Sequence, residues 1–234
     1  MFAGVNEKLE CARYFLDNLK SLAEDARGLH NIKMDKQQEM RANLDGFFFE
    51  IISAKDFFLQ GINDRYGLGL EKDKTTKISQ LKGKLKGRLS DLENPPTDVN
   101  ALEKALQLVT SIGKFLDTKG SWLWRLNNYR NSATHRELLR YWYITEGPTV
   151  PVKEGEEPQF QIILDAGTKV PTQLKRIDIP SENYKFGETK TYLFADPEDP
   201  SKGNADMEII PYCEQSLTQM RELLERLNSE LELE

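Results

Sequence analysis

The stretch that decides the fold is residues 44–62, which read LDGFFFEIISAKDFFLQGI. Apolar side chains recur in it every three or four residues and cover a wide face, at Leu44, Phe47, Phe48, Ile51, Ala54, Phe58 and Ile62. This spacing predicts an amphipathic helix. We expect the helix to run from about Lys36 to Asp64, and the width of its apolar face predicts a position at the centre of a helical bundle.

Five further segments show the helical period and predict a mainly α-helical fold. They run from Val5 to about Gly28, from Ile78 to Leu92, from Leu102 to Leu116, from Trp122 to about Ile144, and from Tyr212 to Leu231. Pro95 and Pro96 end the second of these segments because proline cannot continue a helical hydrogen-bond ladder. Thr97 or Asp98 then offers an oxygen that can cap the next helix. We expect the last helix to pack back on the bundle, since a lone helix of that length is marginal in water.

The texture of the chain changes at Gly147, where prolines become frequent and the helical period disappears. Within this part, residues 159–164 and 189–194 are rich in β-branched and aromatic side chains and are bounded by turn formers, which predicts two or three strands. The sequence thus predicts a helical bundle over residues 1–145, a proline-rich region with strands over 146–211, and a C-terminal helix over 212–234.

Composition restricts the class of protein. With 234 residues, of which 38% are hydrophobic and 30% charged, the chain has enough apolar material for one sizeable domain. No stretch approaches the roughly 18 apolar residues that cross a bilayer, and the N-terminus lacks a signal-peptide core, so we expect a cytoplasmic protein with no membrane partner. Two cysteines and two histidines are too few for a dedicated zinc site, and no glycine-rich phosphate loop is present. We therefore expect no metal and no cofactor.

The segment that begins at Trp122 carries a polar stripe between aromatic flanks. Asn127, Asn131, Thr134 and His135 follow one another at helical spacing and predict one polar face. Judged by periodicity alone, such a stripe is most often the solvated side of an amphipathic helix. The aromatic residues beside it are as consistent with core packing as with an interface.

The hexapeptide Arg130-Asn131-Ser132-Ala133-Thr134-His135 resembles the signature of the HEPN superfamily. In these all-helical domains an arginine is followed, after four to six residues that often begin with a polar one, by a histidine. The count here is four, with asparagine directly after arginine. The resemblance covers roughly residues 1–145 and does not extend to the region from Gly147 onward.

The resemblance implies a function. The family is known for metal-independent ribonucleases of toxin–antitoxin, phage-defence and RNA-guided systems, and some members bind without cutting. Carried over by position, Arg130 and His135 are the catalytic pair and Asn131 helps to orient them or the phosphate. We add Asn127 and Arg136, which lie beside the motif, as substrate-binding residues. The implied partners are RNA, a second copy of the chain and a neutralising protein.

The chemistry suits these residue types. Cutting RNA without a metal requires a proton to be removed from the 2′-hydroxyl, a proton to be given to the leaving oxygen, and positive charge against the phosphate oxygens. On an ideal helix, however, Arg130 and His135 point about 140° apart. Either the helix is distorted near Ser132, or two copies of the motif meet at a two-fold interface, as the family resemblance implies.

A basic strip forms the second candidate surface. Seven cations and one acid lie between Lys72 and Arg88 in a chain whose net charge is -6. Lys82, Lys84 and Lys86 are at its centre, and we expect them to face a phosphate backbone. Two other interpretations are an ordinary solvated helix face and a match for the acidic C-terminal helix.

Three alternatives remain open from sequence. The bundle is a non-catalytic interaction module that binds RNA, a nucleotide or a protein, with Arg130 as a clamp. The strand-containing tail recognises a partner while the helices dimerise. The third open question concerns the partner of Arg130. Asp45, Glu50 or Asp56 of the second helix pairs with Arg130 and holds its rotamer, if the two helices adjoin.

Overall fold

The computed structural model describes residues 2, 4–25, 34–135, 140–145, 162–164, 189–194 and 207–232. These residues are mainly helical, as predicted. The helices are α1 (Val5–Asp25), α2 (Met34–Arg65), α3 (Lys72–Thr75), α4 (Ile78–Leu89), α5 (Val99–Asp117), α6 (Trp122–His135) and α7 (Ile209–Glu232). In this part of the chain, no helix combines the length and the apolar character that crossing a bilayer requires.

Helix α2 lies at the centre of the bundle and contacts α1, α6 and α7. Its buried apolar residues form one wide face, on which Phe47, Phe48 and Phe58 have no exposed surface, whereas Phe49 and Phe57 on the other side are exposed. Helix α1 approaches α2 closely because Gly46 has no side chain. A Cβ built at Gly46 would lie 2.7 Å from the ring of Phe15.

Helices α4 and α5 form an antiparallel hairpin beside this core. Leu81 and Leu85 bury the inner side of α4. The Oδ1 atom of Asp98 accepts a hydrogen bond from the backbone N–H of Ala101 at 2.9 Å and so caps the first turn of α5. Of the two caps that the sequence allows, the structure uses Asp98.

Helix α7 packs against α1, α2 and α5. Two ion pairs join it to α1: Lys20 Nζ lies 2.6 Å from Glu214 Oε1, and Arg221 Nη2 lies 3.0 Å from Glu10 Oε1. The pair at Glu10 lowers the pKa of that carboxyl because Arg221 donates a hydrogen bond to it. The C-terminal helix is therefore part of the bundle.

The predicted end of the helix that begins at Trp122 is wrong. That helix, α6, ends at His135 rather than near Ile144, and Arg140–Thr145 form strand β1. The sequence of β1, RYWYIT, consists mostly of aromatic and β-branched residues, which fit a pleated strand better than a helix. Tyr141, Trp142 and Tyr143 therefore lie on a strand.

Strand β1 pairs antiparallel with β2 (Ile162–Leu164) and with β3 (Thr189–Phe194), and β3 pairs with β4 (Met207–Glu208). The strand order is β2-β1-β3-β4. In the register of β1 and β3, Tyr141 lies opposite Leu193 and Tyr143 opposite Thr191. The other residues of the region 146–206 lie outside the described part of the chain.

Candidate functional site

The position of Arg130 is set by the residue before it. The side chain of Tyr129 is completely buried, and its ring stacks on that of Phe48 with centroids 5.1 Å apart. The ring of Tyr212 on α7 meets Tyr129 edge to face at 5.7 Å. Aromatic contacts of this kind add to the free energy of burying the rings. They hold α6 against α2, and Arg130 therefore leaves α6 at the seam between the two helices.

A carboxylate of α2 lies opposite Arg130 in this seam. The Nη2 atom of Arg130 is 3.6 Å from Oδ2 of Asp56. Asp56 is one of the three acids that the sequence offers as partners for this arginine. The other two acids face other cations. Glu50 forms an ion pair with Lys8 of α1 at 2.8 Å, and Asp45 is under the electrostatic influence of Arg41.

Asp56 also binds a second cation that the sequence analysis missed. The Nζ atom of Lys55 lies 2.7 Å from Oδ1 of Asp56, and only 5% of the Lys55 side chain is exposed. A signal for it was present in the sequence, because Lys55 occupies the middle of the apolar face of α2. A lysine at the centre of such a face has to be buried, and burying its charge is costly unless a counter-ion is near.

The remaining motif residues lie on α6 or just beyond it. Asn127 and Asn131 are half-buried on this helix. His135 is the last residue of α6. Its side chain and all of Arg136 lie outside the described residues. Because α6 is helical throughout Trp122–His135, the distortion near Ser132 does not occur, and positions 130 and 135 are about 140° apart around the helix.

The basic strip of α4 faces outward. Lys82 is half-buried, whereas Lys84 and Lys86 are exposed. Within the described residues, no carboxylate forms an ion pair with these three lysines. The acidic C-terminal helix does not neutralise them, since Glu214 of α7 pairs with Lys20 of α1 and Glu230 pairs with Arg226 of its own helix.

The outer side of α4 has an unusual shape. Gly83 and Gly87 lie opposite the buried leucines, and a Cβ at either position would meet nothing within 4 Å. We call this side of α4, marked by the two glycines, the ridge. At 100° per residue, Lys82 and Lys86 lie on one side of the ridge and Lys84 lies on the other. The ridge is therefore bare backbone with lysines on both sides.

Burial changes the pKa of two groups, Asp45 on α2 and Tyr212 on α7. Desolvation raises the pKa of Asp45 to about 6, and the charge of Arg41 opposes part of that rise. Desolvation also raises the pKa of Tyr212 far above its usual range. Tyr212 thus stays a neutral phenol at any physiological pH, while Asp45 changes its charge near neutral pH.

A shallow groove of about 390 Å³ lies between α7 and the junction of α5 with α6. Apolar side chains and both an acidic and a basic side chain line the groove. The lining residues are Phe115, Trp122, Gln219, Glu222, Leu223 and Arg226. Among the described residues, no group of three or more histidine, cysteine or acidic side chains could hold a metal ion. Two surface features of the described residues carry the cations that the sequence predicted as binding groups: the seam at Arg130 and the strip on α4.

Comparison with known proteins adds no further information, because no family model, no curated protein and no solved structure matches this chain.

Proposed function

We propose that this chain is a HEPN-like RNA-binding protein that works as a metal-independent endoribonuclease of a defence or toxin-type system. The observation that carries the proposal is the setting of Arg130. Its Nη2 atom lies 3.6 Å from Oδ2 of Asp56 at the seam of two packed helices, and 29% of its side chain is exposed. An arginine guanidinium that reaches solvent can bind phosphate oxygens, and this one belongs to the motif that contains His135.

In the proposed reaction, the 2′-hydroxyl oxygen of a nucleotide attacks the adjacent phosphorus and the bond to the 5′-oxygen breaks. The products are a 2′,3′-cyclic phosphate and a free 5′-hydroxyl. His135 is the proposed group that moves protons, because the ordinary pKa of a histidine lies near neutral pH. Arg130 stabilises the charge that develops on the non-bridging oxygens. Asn131 orients the phosphate.

The proposed active unit is a homodimer. Because α6 is an unbroken helix to His135, positions 130 and 135 of one copy are about 140° apart around the helix. A two-fold axis near α6 brings the arginine of one copy toward the histidine of the other. Asn127 and Arg136 flank the motif and complete the proposed substrate contacts.

The strip on α4 supports RNA binding by charge. Lys82, Lys84 and Lys86 project from an acidic chain, and the bare ridge between them lets a phosphate backbone approach the helix closely. Contacts of this kind bind phosphates and carry no base preference. The proposal includes a neutralising protein partner, since an unrestrained ribonuclease harms its own cell. It also includes a cytoplasmic location.

A cleavage assay in EDTA tests the enzyme. The substrate is a fluorescent RNA, and the variants are Arg130→Ala and His135→Ala, with Arg13→Ala and His30→Ala as matched controls. We expect wild type and both controls to cut and to leave a 2′,3′-cyclic phosphate, and both motif variants to lose cleavage while remaining folded. Cleavage that needs added magnesium, or that survives in His135→Ala, would show that the mechanism is wrong.

A second candidate is a non-catalytic module that binds RNA, a nucleotide or a protein. The observation that favours it is the ion pair of Arg130 with Asp56, because an arginine engaged by a carboxylate can serve the fold alone. This alternative expects RNA binding without cleavage by every variant. It gains support if the folded wild type cuts none of a varied set of RNAs.

A further inference from the structure

The three charged groups at the seam are arranged in order of depth. Lys55 is the innermost, with 5% of its side chain exposed, Asp56 is intermediate at 14%, and Arg130 is the outermost at 29%. The carboxylate thus has one cation behind it and one in front of it. Together the three groups carry one negative and two positive charges.

The two cations bind Asp56 unequally. Lys55 lies at 2.7 Å from Oδ1 and Arg130 at 3.6 Å from Oδ2. The attraction between charges falls with distance and is less screened where water is excluded. Both effects favour Lys55, so the charge of Asp56 is balanced mainly from the interior of the bundle.

This inequality decides what happens when an anion approaches from solvent. An arginine that is the only counter-ion of a poorly exposed carboxylate cannot leave it, because an uncompensated buried charge is strongly destabilising. Asp56 keeps Lys55 at 2.7 Å when Arg130 turns away. Asp56 is therefore not left as an uncompensated charge when Arg130 exchanges it for another oxyanion.

We propose that Lys55 is a positioning residue that frees Arg130 to exchange Asp56 for a phosphate group of RNA. Lys55 acts through Asp56 and does not touch the ligand. The inference rests on the proposed function in one respect, namely that Arg130 contacts an RNA phosphate. It goes beyond that function by assigning a role to the buried lysine and to the order of the three charges.

The test is RNA binding measured by fluorescence anisotropy in EDTA, with a short labelled single-stranded RNA and the full-length chain. Lys55→Met removes the inner cation and leaves Asp56 to Arg130 alone, so we expect affinity to fall about tenfold or more. Lys55→Met/Asp56→Asn removes both the cation and the carboxylate, and we expect binding to return close to that of wild type. Lys55→Arg keeps the charge and is expected to bind as wild type does.

A control separates this exchange from a general change in charge. Lys55→Met/Asp45→Asn removes an acid of the same helix that does not pair with Arg130, and we expect no recovery of binding. Recovery in this control, or none in the double variant with Asp56→Asn, would overturn the inference. If Lys55→Met does not fold, Lys55→Gln replaces it in the same comparisons, since glutamine removes the charge and keeps a polar side chain beside Asp56.

Arg130→Gln distinguishes failure of the inference from failure of the proposed function. If Arg130→Gln binds RNA as tightly as wild type, Arg130 does not contact the phosphate, and both the proposed role and the inference are wrong. If Arg130→Gln loses affinity while Lys55→Met keeps it, only the role of Lys55 is wrong.

Discussion

The ring of Tyr129 lies stacked on the ring of Phe48, with an interplanar angle of 23°, one residue before the arginine of the candidate site. The core of the bundle and the candidate site are therefore joined through two consecutive residues of α6. A change that loosens this stacking is expected to displace Arg130 as well as to lower stability.

Tyr129→Ala is expected to lower the free energy of unfolding by about 3–5 kcal/mol, as removal of a fully buried aromatic ring does. Urea unfolding followed by circular dichroism measures it. The control is Tyr14→Ala, because Tyr14 is 63% exposed and its loss is expected to cost less than about 0.5 kcal/mol. Equal midpoints for the two variants would contradict the packing described for α6.

Two helical glycines are expected to respond to alanine in opposite directions. Gly46→Ala pushes a methyl group into the ring of Phe15 and is expected to destabilise the protein by about 1–3 kcal/mol. Gly83→Ala adds its methyl group to open space and is expected to stabilise the protein by about 0.4–1 kcal/mol, since alanine restricts the unfolded chain. Thermal unfolding of both variants provides the comparison. A rise in melting temperature for Gly46→Ala would show that α1 and α2 are not in close contact there.

The carboxyl of Asp45 is expected to make stability depend on pH. Its pKa in the folded protein is about 6, above the value of a free aspartate, because burial disfavours the charged form. Between about pH 4 and 6 the folded state therefore binds more protons than the unfolded state, and the contribution of Asp45 to stability falls as pH rises.

Asp45→Asn removes this dependence. At pH 7 we expect the variant to be more stable than wild type by on the order of 1 kcal/mol, a figure discounted because the carboxyl is partly in water. At pH 4 the difference should vanish. Urea titrations at both values of pH measure it, and a variant that is less stable at pH 7 would contradict the assigned pKa.

The two cysteines are expected to differ in reactivity. Cys213 is completely buried on α7, and desolvation raises the pKa of its thiol far above the usual range, whereas Cys11 is half-buried. Because the thiolate is the reactive form, iodoacetamide should label Cys213 only as fast as the protein unfolds. Mass spectrometry of Cys11→Ser with and without urea measures this rate. Rapid labelling in the absence of urea would place Cys213 outside the core.

The lysines of α4 are expected to determine the salt dependence of RNA binding. For single-stranded RNA each neutralised phosphate adds about 0.7 to the slope of log Kobs against log salt, so Lys82→Gln/Lys86→Gln should reduce the slope by about 1.4. Lys104→Gln/Lys114→Gln removes the same charge from α5, with the same pair of exposures, and is the matched control. An equal reduction in both variants would mean that binding follows net charge and not the strip on α4.

The sequence predicted the helices where local pattern dominates. The apolar period of residues 44–62 predicts α2 and its central position, and Pro95 and Asp98 mark the turn between α4 and α5. The end of α6 could not be predicted in this way. The aromatic and β-branched residues of 140–145 suit a strand, but a strand also needs neighbours, and β2 and β3, which supply partners for its backbone groups, come from distant parts of the chain.

Some residues of the candidate site could likewise be predicted from the sequence, and others could not. The motif at Arg130 and His135 and the lysines of α4 can be read from the chain, because each lies within one helix. The acid that meets Arg130 could not be chosen, since Asp45, Glu50 and Asp56 all lie on α2 and the face that α6 covers depends on how two distant segments pack.

The sequence by itself determined that the chain is mainly helical and which charges face outward on α4, because both properties depend on side-chain spacing within a few residues. It offered Thr97 and Asp98 as caps of α5 without choosing between them. Only the tertiary structure decided that Lys55 and Arg130 share the carboxylate of Asp56. That arrangement requires α2 and α6, more than fifty residues apart in the chain, to pack in one orientation, and the burial of Phe48 and Tyr129 against each other is the physical reason that they do.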